Sequence, residues 1–587
     1  MNLLRTVVFT VAFAIHFCVE AAPELIVINA KINTFDGNTF SGFTVEDGKF
    51  SALSNNDQTL LSKQNDKTLV IDAKGHRVIP GINDSHLHVV RGGRFYNLET
   101  RWEGLTSLKK GIDMIAAQAK RTPEGHWVRV IGGWSPYQFD ENRMPTPNEL
   151  TDAAPNTPVF VLHLYSGGVL NRKAMEVLGI NKDSVPPKGS RFERDSKGNP
   201  TGVLVADPNP MILYRTIGAL PHMSLDEQYN SSKQYYRKLL SLGVTSVVDA
   251  GGGGHVFPEN YQASTVLAAR GELPIRVSNY LFPQTPGQEL NSFAKWMSNY
   301  KRNQNLHLHL DNGYVIEGGG ELLAWKASDY ENFRAARPEL AKDAEEELEK
   351  VVRLHLLQGW PFRIHATYDE SISRMLTLFE QINETQPLNS VRWIIDHAET
   401  VTDSNLDRIK ALGGAIAVQG RMAFAGEDFL ARYGESQTKR TPPVKTMLSK
   451  GIPVGFGTDG TRVSSFNPWA TYYWAVSGRT VGGKKLYDKD NILDRLTALQ
   501  TFTQGSANIS GEQGIKGQIK IGQYADFAVL NQDILEVNER ALLHTQSLLT
   551  VVDGKVRFAD KAVYPNLHKP REPALPSWSP VNFSEDR

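Results

Sequence analysis

The stretch Val78-Ile-Pro-Gly-Ile-Asn-Asp-Ser-His-Leu-His88 decides how the rest of the chain is interpreted. It has the pattern of a buried apolar strand that ends in polar residues. Because side chains alternate along a strand, His86 and His88 point to the same side and can bind one metal ion together. Neutral imidazole is a good ligand for zinc and similar ions. The stretch therefore predicts a metal site at a strand end, and His307-Leu-His309, which lacks the Pro-Gly lead-in, is the weaker candidate.

Short apolar runs separated by helical patterns follow this stretch through the centre of the chain. The predicted helices lie at 341–358, 371–383 and 404–412. The eight predicted strands are 77–82, which leads to His86, then 244–249, 275–281, 313–317, 362–365, 391–397, 415–419 and 453–459. Eight strand–helix units indicate an α/β protein with a (β/α)8 TIM barrel, in which chemistry gathers at the C-terminal strand ends.

The two ends of the chain have a different character from its centre. Alternating apolar residues and Asp-Gly turns at 22–78 and again at 510–587 predict short antiparallel strands. Chain ends commonly lie close together, so we expect one small β-sandwich satellite domain built from both. The barrel then occupies 79–509, with a large insertion after its first strand, at about 95–235, that we expect to cover the barrel mouth.

The first 21 residues predict a secretory signal peptide. Arg5 is followed by a short apolar run and by small residues, with cleavage expected after Ala21. The run is shorter than the ~20 residues that span a bilayer. We therefore expect an exported protein, periplasmic or secreted, with no integral membrane span after cleavage. An uncleaved N-terminal anchor is the alternative.

The composition excludes several classes of protein. Of 587 residues, 64 are Lys or Arg and 64 are Asp or Glu, so the formal net charge is zero and gives no electrostatic case for nucleic acid. The single cysteine, Cys18, lies in the predicted signal peptide and rules out a disulfide framework. Metal chemistry in the mature chain must then use His, Asp, Glu or Lys.

Further candidate ligands end other predicted strands. His365 ends the fifth strand, His397 the sixth and Asp459 the eighth. In a barrel these strand ends face the same mouth as His86 and His88. Four histidines and one aspartate gathered there indicate a metal centre.

These motifs resemble the metal-dependent amidohydrolase superfamily, specifically its amidohydrolase-3 branch, the YtcJ-like proteins. The resemblance covers roughly residues 24–560. It is carried by the stretch 78–88, by Gly243-Val-Thr-Ser-Val-Val-Asp249, Arg363-Ile-His365-Ala, Ile395-Asp-His397-Ala, Gly457-Thr-Asp459 and Gly522-Gln-Tyr-Ala-Asp526-Phe-Ala-Val529. It implies that His86, His88, His365, His397 and Asp459 bind metal, and that Asp459 also shuttles the proton.

The resemblance also implies a residue that bridges two metal ions. Many relatives place a carboxylated lysine at the end of the fourth strand, where this chain has Gly313-Tyr-Val-Ile-Glu317-Gly-Gly-Gly-Glu321. We expect the carboxylate of Glu317 to take that place, with Glu321 in reserve. The expected cofactor is one or two divalent metal ions, with zinc the expected metal.

Substrate contacts are predicted less sharply. Arg421 and Gln419 follow the seventh strand, and an arginine fork binds carboxylates bidentately. Trp134 and Tyr165 lie in the insertion, the latter near the place where relatives often have a histidine. Specificity is expected from the insertion and from the loops around Arg421 and Arg462.

The sequence thus predicts an exported metal-dependent hydrolase of a C–N bond of amide, cyclic amide, carbamate or formamide type, acting on a small molecule. An esterase, lactonase or deaminase on the same fold is one alternative, since a fold does not fix a reaction. A catalytically silent barrel that acts as a binding or regulatory module is another. The oligomeric state stays open, with a homo-oligomer among the options.

Overall fold

A computed structural model describes residues 22–302 and 313–584. The predicted signal peptide and the pair His307-Leu-His309 lie outside these residues. At the centre is a parallel sheet whose eight strands follow one another in chain order. Barrel strands 1 to 8 are Ile82–Leu87, Val244–Asp249, Arg276–Leu281, Tyr314–Gly319, Phe362–Ala366, Trp393–His397, Ala415–Gln419 and Val454–Gly457. The predicted (β/α)8 barrel is confirmed.

Backbone hydrogen bonds bring the ends of strands 1 and 8 together. The Asp459 N–H donates to the His86 carbonyl over 2.8 Å, and the His88 N–H donates to the Gly460 carbonyl over 3.1 Å. The polar residues that follow these two strands are therefore neighbours across the barrel mouth.

Helices surround the strands, and the three predicted from sequence are present within three residues of their expected bounds. They are Ala344–Gln358, Asp369–Asn383 and Asp403–Ala411. The other helices of this central region are Val89–Phe95, Leu225–Leu240, Gln262–Ala269, Glu289–Asn299, Met422–Thr438, Val444–Ser449, Pro468–Ser477, Arg495–Gln500 and Ser506–Ile509. Among the described residues, none of the helices has both the length and the apolar character needed to cross a bilayer.

Two four-stranded sheets form the satellite at the chain ends. The first contains Leu25–Ile28, Gly42–Glu46, Lys49–Ser54 and Leu69–Asp72, beside a short helix, Asp57–Leu61, and a separate strand pair, Ile32–Asn33 with Thr39–Phe40. The second contains Val78–Pro80, Phe527–Leu530, Ser547–Val552 and Lys555–Ala559. One apolar cluster joins the sheets, and the rings of Phe43 and Phe527 meet edge to face at 4.9 Å.

The satellite leads directly into the metal-site strand. Residues Val78–Pro80 pair with Phe527–Leu530, so this part of the predicted first barrel strand belongs to the satellite sheet, and barrel strand 1 begins after Gly81. A buried ion pair also ties the two parts together, because Arg276 at the start of strand 3 lies 2.8 Å from Asp526.

The segment between barrel strands 1 and 2 contains a subdomain of its own. Its five-stranded sheet consists of Val128–Ile131, Val159–His163, Gly167–Leu170, Ser190–Arg194 and Pro200–Ala206. Its helices are Leu108–Ala119, Pro147–Ala153, Arg172–Val177 and Met211–Gly218. Separate apolar clusters, one with Trp102 and one with Leu213, hold the sheet between its helices.

Candidate metal centre

Six side chains meet at the barrel mouth, and none is more than 8% exposed. They are His86, His88, Glu321, His365, His397 and Asp459. Their ligand atoms form three overlapping groups, and within each group the atoms lie no more than 4.8 Å apart: His86, His88 and Glu321; His86, His397 and Asp459; Glu321, His365 and His397. The structure thus brings together all four predicted histidines and the predicted aspartate.

Glu321 lies at the centre of this cluster. Its Oε2 atom lies 3.5 Å from His86 Nε2, 3.2 Å from His365 Nδ1 and 3.4 Å from His397 Nε2. Its Oε1 atom lies 3.7 Å from His88 Nε2. One carboxylate therefore contacts both halves of the cluster, as a residue that bridges two cations must.

The structure places Glu317 elsewhere and so corrects the choice between the two glutamates. Barrel strand 4 runs to Gly319, two residues beyond its predicted end, so that Glu317 lies within the barrel wall. There it forms an ion pair with Arg392, and burial raises its pKa to about 7. Glu321 follows the true strand end and reaches the mouth.

Asp459 faces the first pair of histidines. Its Oδ1 atom lies 3.1 Å from His88 Nε2 and 3.7 Å from His86 Nε2. Burial opposes ionisation, but the hydrogen bond with His88 and the charges of the neighbouring histidines hold the pKa of Asp459 well below its usual value. Asp459 (φ 56°) and His397 (φ 80°) both adopt the left-handed backbone conformation, which is uncommon outside glycine and is often found at functional sites.

Hydrogen-bond acceptors behind the first two histidines fix their ring orientation. The Asp396 carboxylate lies 3.0 Å from His86 Nδ1, and the Gly251 carbonyl lies 2.6 Å from His88 Nδ1. Arg363 in turn pairs with Asp396. Both rings therefore present Nε2 to the cluster, which is the arrangement that metal-binding histidines need.

This donor set fits a pair of divalent cations. Four imidazoles and two carboxylates suit zinc and related transition metals. His86 Nε2 is buried without a hydrogen-bond partner among the described residues. Burial raises the pKa of Glu321, but the charge of His86 and hydrogen bonds from His365 and His397 outweigh it and hold that pKa well below the usual range.

A cavity of about 840 Å³ opens beside His88 and Glu321. The barrel forms one wall and the insertion the other, so the insertion covers the mouth as expected. Its apolar lining is made by Phe95, Ile131, Tyr165, Met211, Leu220, Phe282, Trp325 and Tyr330. A pocket of this size and character suits a small organic substrate.

Of the four predicted substrate contacts, Tyr165 lines this cavity and the other three face elsewhere. Trp134 is fully buried, and its Nε1–H donates to the Leu162 carbonyl within the insertion core. Gln419 donates to the Ala417 carbonyl inside strand 7. Arg421 pairs with Glu331 at 2.6 Å and is already neutralised.

Several residues of the site were missed in the sequence. Asp396 and Arg363 lie in otherwise apolar barrel strands, and a charged pair in such strands is a usable signal of a buried network. Asp329 and Glu331 each lie 3.5 Å from His365 Nε2, but they come from a segment without regular pattern. Nothing in their local sequence marks them.

Comparisons with known proteins agree with this geometry. The sequence profile of the Amidohydrolase family matches residues 69–558. The chain is 24% identical over 549 residues to the N-substituted formamide deformylase of Arthrobacter pascens, covering 91% of this chain and 98% of that protein. It is 24% identical over 531 residues to the putative amidohydrolase YtcJ of Bacillus subtilis (strain 168), covering 89% and 97%.

Solved structures give the same fold. An uncharacterized metal-dependent hydrolase from Pyrococcus horikoshii OT3 superposes with a TM-score of 0.61 at 23% identity. The match covers 88% of this chain and 99% of that one.

Proposed function

The chain belongs to the amidohydrolase family and is a metal-dependent hydrolase of carbon–nitrogen bonds, and we propose that it cleaves an amide, cyclic amide, carbamate or formamide with Asp459 as the proton shuttle. The observation that carries the proposal is the cluster of four histidines and two carboxylates beside a largely apolar cavity. The similarity to a formamide deformylase favours small N-acyl compounds among these substrates.

Each residue of the cluster has a distinct part in the proposed reaction. His86, His88, His365 and His397 would hold the cations, and the Glu321 carboxylate would be shared between them. Divalent metal supplies an acidified water and polarises the scissile carbonyl. Zinc is the proposed ion, because the site offers nitrogen and oxygen donors in buried, compact geometry.

Asp459 moves the proton. Its carboxylate lies 3.1 Å from His88 Nε2 and 3.7 Å from His86 Nε2, where it can accept a proton from the attacking water. The same carboxyl then donates this proton to the leaving nitrogen, which departs as an amine.

Metal analysis combined with an activity screen tests this proposal. We expect the purified protein to contain divalent metal and to hydrolyse members of a panel of formamides, N-acyl amines, cyclic amides, carbamates and esters. Replacing both His86 and His88 by alanine should remove metal and activity, whereas replacing His76 and His544, which lie away from the cluster, should preserve both.

Two outcomes of the screen favour the alternatives. Turnover confined to esters or lactones indicates the esterase chemistry. Less than about half an equivalent of tightly bound metal, without turnover of any compound, indicates a silent binding module, because such ligand sets bind strongly.

Export is a further part of the proposal, and it rests on the sequence of residues 1–21. The full-length chain should be recovered outside the cytoplasm of a bacterial host, with Ala22 as the first residue on N-terminal sequencing. Recovery of the unprocessed chain in the cytoplasm contradicts export.

A further inference from the structure

The cavity beside the metal centre carries an excess of positive charge. Among the described residues, its lining contains five arginines but only two carboxylates, Glu99 and Glu321. The arginines are Arg91, Arg94, Arg129, Arg215 and Arg462. Glu321 belongs to the metal cluster, and Glu99 forms its ion pair with Arg101, which does not line the cavity. The cavity arginines therefore exceed the carboxylates that are available to them.

Two of these arginines have no polar partner in the described part of the chain. Arg91 is 3% exposed and Arg462 is 6% exposed, and neither forms an ion pair or a side-chain hydrogen bond there. Nε and Nη2 of Arg91 and Nη1 of Arg462 are buried and unbonded. Arg462 contacts the ring of Tyr214, at 5.3 Å from its centroid.

The other buried arginines of the cavity are held by the protein. Arg94 donates to Gln228 over 2.9 Å and lies 2.9 Å from the His255 ring nitrogen. Arg129 donates to the Pro221 carbonyl over 3.1 Å. These contacts fix Arg94 and Arg129 in the wall. Arg215 lies at the exposed side of the cavity, so Arg91 and Arg462 are the buried cations that are available to a ligand.

Both free arginines are placed by the metal-site strands. Arg91 follows His88 by three residues, and Arg462 follows Asp459 by three. Gly252 marks the narrow gap next to the metal centre, because a Cβ atom there would lie 3.3 Å from Arg91 Nη1 and 3.4 Å from His88 Nδ1. Arg91 therefore lies directly beside a metal-binding histidine.

The two guanidinium groups also influence each other. Burial and the neighbouring charge of Arg91 lower the pKa of Arg462 to about 10. The charge of Glu99 offsets this effect only in part, and an arriving anion would offset it further. The arrangement is that of a binding site for a negatively charged group.

We propose that Arg91 and Arg462 bind a carboxylate group of the substrate, next to the bond that is cleaved. This inference rests on the proposed amide hydrolysis and narrows its substrates to amides that carry a carboxylate near the scissile bond. The apolar walls of the cavity then receive the remainder of the molecule. Two arginine forks match the planar geometry of a carboxylate.

The glycine run at 251–254 does not form a phosphate cradle in the same cavity. The N–H groups of Gly254 and His255 both donate to the side-chain oxygen of Gln284, over 2.7 and 3.2 Å. A phosphate loop needs such N–H groups free for its ligand. The loop instead leaves room for the Arg91 guanidinium.

A binding experiment tests the carboxylate site without any turnover. 3-Phenylpropionate and its neutral counterpart 3-phenylpropanol are titrated into the metal-loaded protein by calorimetry. We expect the carboxylate to bind at least about tenfold more tightly, and Arg91→Met or Arg462→Met to abolish that difference. Arg191→Met, which removes an exposed arginine of the insertion sheet, should preserve it.

Kinetics with a matched pair of amides give the second test. N-acetylphenylalanine and N-acetylphenethylamine differ only by the carboxylate. For the first compound, Arg91→Met should lower kcat/KM by about 30- to 100-fold, as loss of a charge-assisted bidentate contact does. For N-acetylphenethylamine, the same substitution should change kcat/KM by less than threefold. Arg91→Lys keeps the charge but not the fork, so its kcat/KM for N-acetylphenylalanine should lie between those of the wild type and Arg91→Met.

Melting temperature and metal content show whether a variant is structurally damaged or has lost only the carboxylate site. Because Arg91 has no partner in the described structure, Arg91→Met should bind metal normally and melt no lower than the parent. Equal affinity of the wild-type protein for the two titrants overturns the carboxylate site. An equal loss of kcat/KM for both amides in the arginine variants overturns it as well. Intact carboxylate binding without amide hydrolysis contradicts only the proposed reaction.

Discussion

The carboxylate of Asp396 lies 3.0 Å from Nδ1 of His86, while Nε2 on the opposite side of the same ring lies 3.5 Å from Glu321. Arg363 holds Asp396 in that position and also donates to the Ser85 carbonyl over 2.6 Å. Asp396 is therefore a positioning residue, since it acts on the metal centre only through His86.

Replacing Asp396 by asparagine should weaken metal binding by about 10- to 100-fold, because His86 loses the charged acceptor that orients it. Competition with a chelator measures the affinity. Asp407→Asn, which changes an exposed aspartate away from the barrel mouth, is the matched control. Equal metal affinity in the two variants contradicts a role for Asp396 in orienting His86.

Glutamine substitutions separate the two candidate bridging residues. Glu321→Gln should lower the bound metal by about one equivalent, because the amide cannot bridge two cations as a carboxylate does. Glu317→Gln should keep the full metal content, since Glu317 pairs with Arg392 within the barrel wall. Elemental analysis of both proteins decides between them, and metal loss in the second variant alone reverses our assignment.

The proton shuttle is tested at Asp459. Asp459→Asn should keep the fold and reduce kcat by at least about 1000-fold, within the range of general acid–base catalysis. The assay is run at saturating metal, with the metal content determined in parallel, so that weaker ligation does not imitate lost proton transfer. Asp113→Asn on an exposed helix is the control. Turnover at the parental rate in Asp459→Asn refutes the shuttle.

Glu427 should make stability depend on pH. Burial raises its pKa to about 7, while its ordinary value is 4.5. The folded state therefore holds a proton that the unfolded state releases, and the free energy of unfolding should fall as the pH rises from about 4.5 to 7. Glu427→Gln should remove this pH-dependent loss. Relative to the wild type, its free energy of unfolding should therefore rise by about 3 kcal/mol between acidic pH and pH 8.

Denaturant unfolding at pH 5 and pH 8 measures this gain. Glu384→Gln, at an exposed helix end, should follow the wild-type profile. A Glu427→Gln profile parallel to that of the wild type would show that Glu427 does not contribute to the pH dependence.

The strand ends of the barrel were predictable because buried parallel strands read as continuous apolar runs, and His or Asp directly after such a run is conspicuous. His365, His397 and Asp459 were all located in this way. The two satellite sheets were visible through their alternating residues and Asp-Gly turns.

The end of barrel strand 4 was predicted too early, at Glu317, directly before three glycines. In the structure Gly318 and Gly319 continue the strand. A Cβ atom at Gly318 would lie 2.1 Å from the Pro361 carbonyl oxygen, so the glycine allows close approach of the next strand. The partner of Arg421 was equally invisible, because Glu331 is 90 residues away along the chain and only the fold brings them together.

The shared sandwich has a consequence for how the protein is made. Its first sheet is synthesised by residue 72, but three of the four strands of the covering sheet begin only at Phe527. Translation proceeds at about 5 to 20 residues per second. Phe43 and Phe50 are therefore synthesised roughly 20 to 90 seconds before Phe527, whose ring packs against that of Phe43. Throughout that interval the nascent chain presents an open apolar sheet, so we expect production of soluble protein to depend on chaperones that shield it and to improve when growth is slowed by cooling.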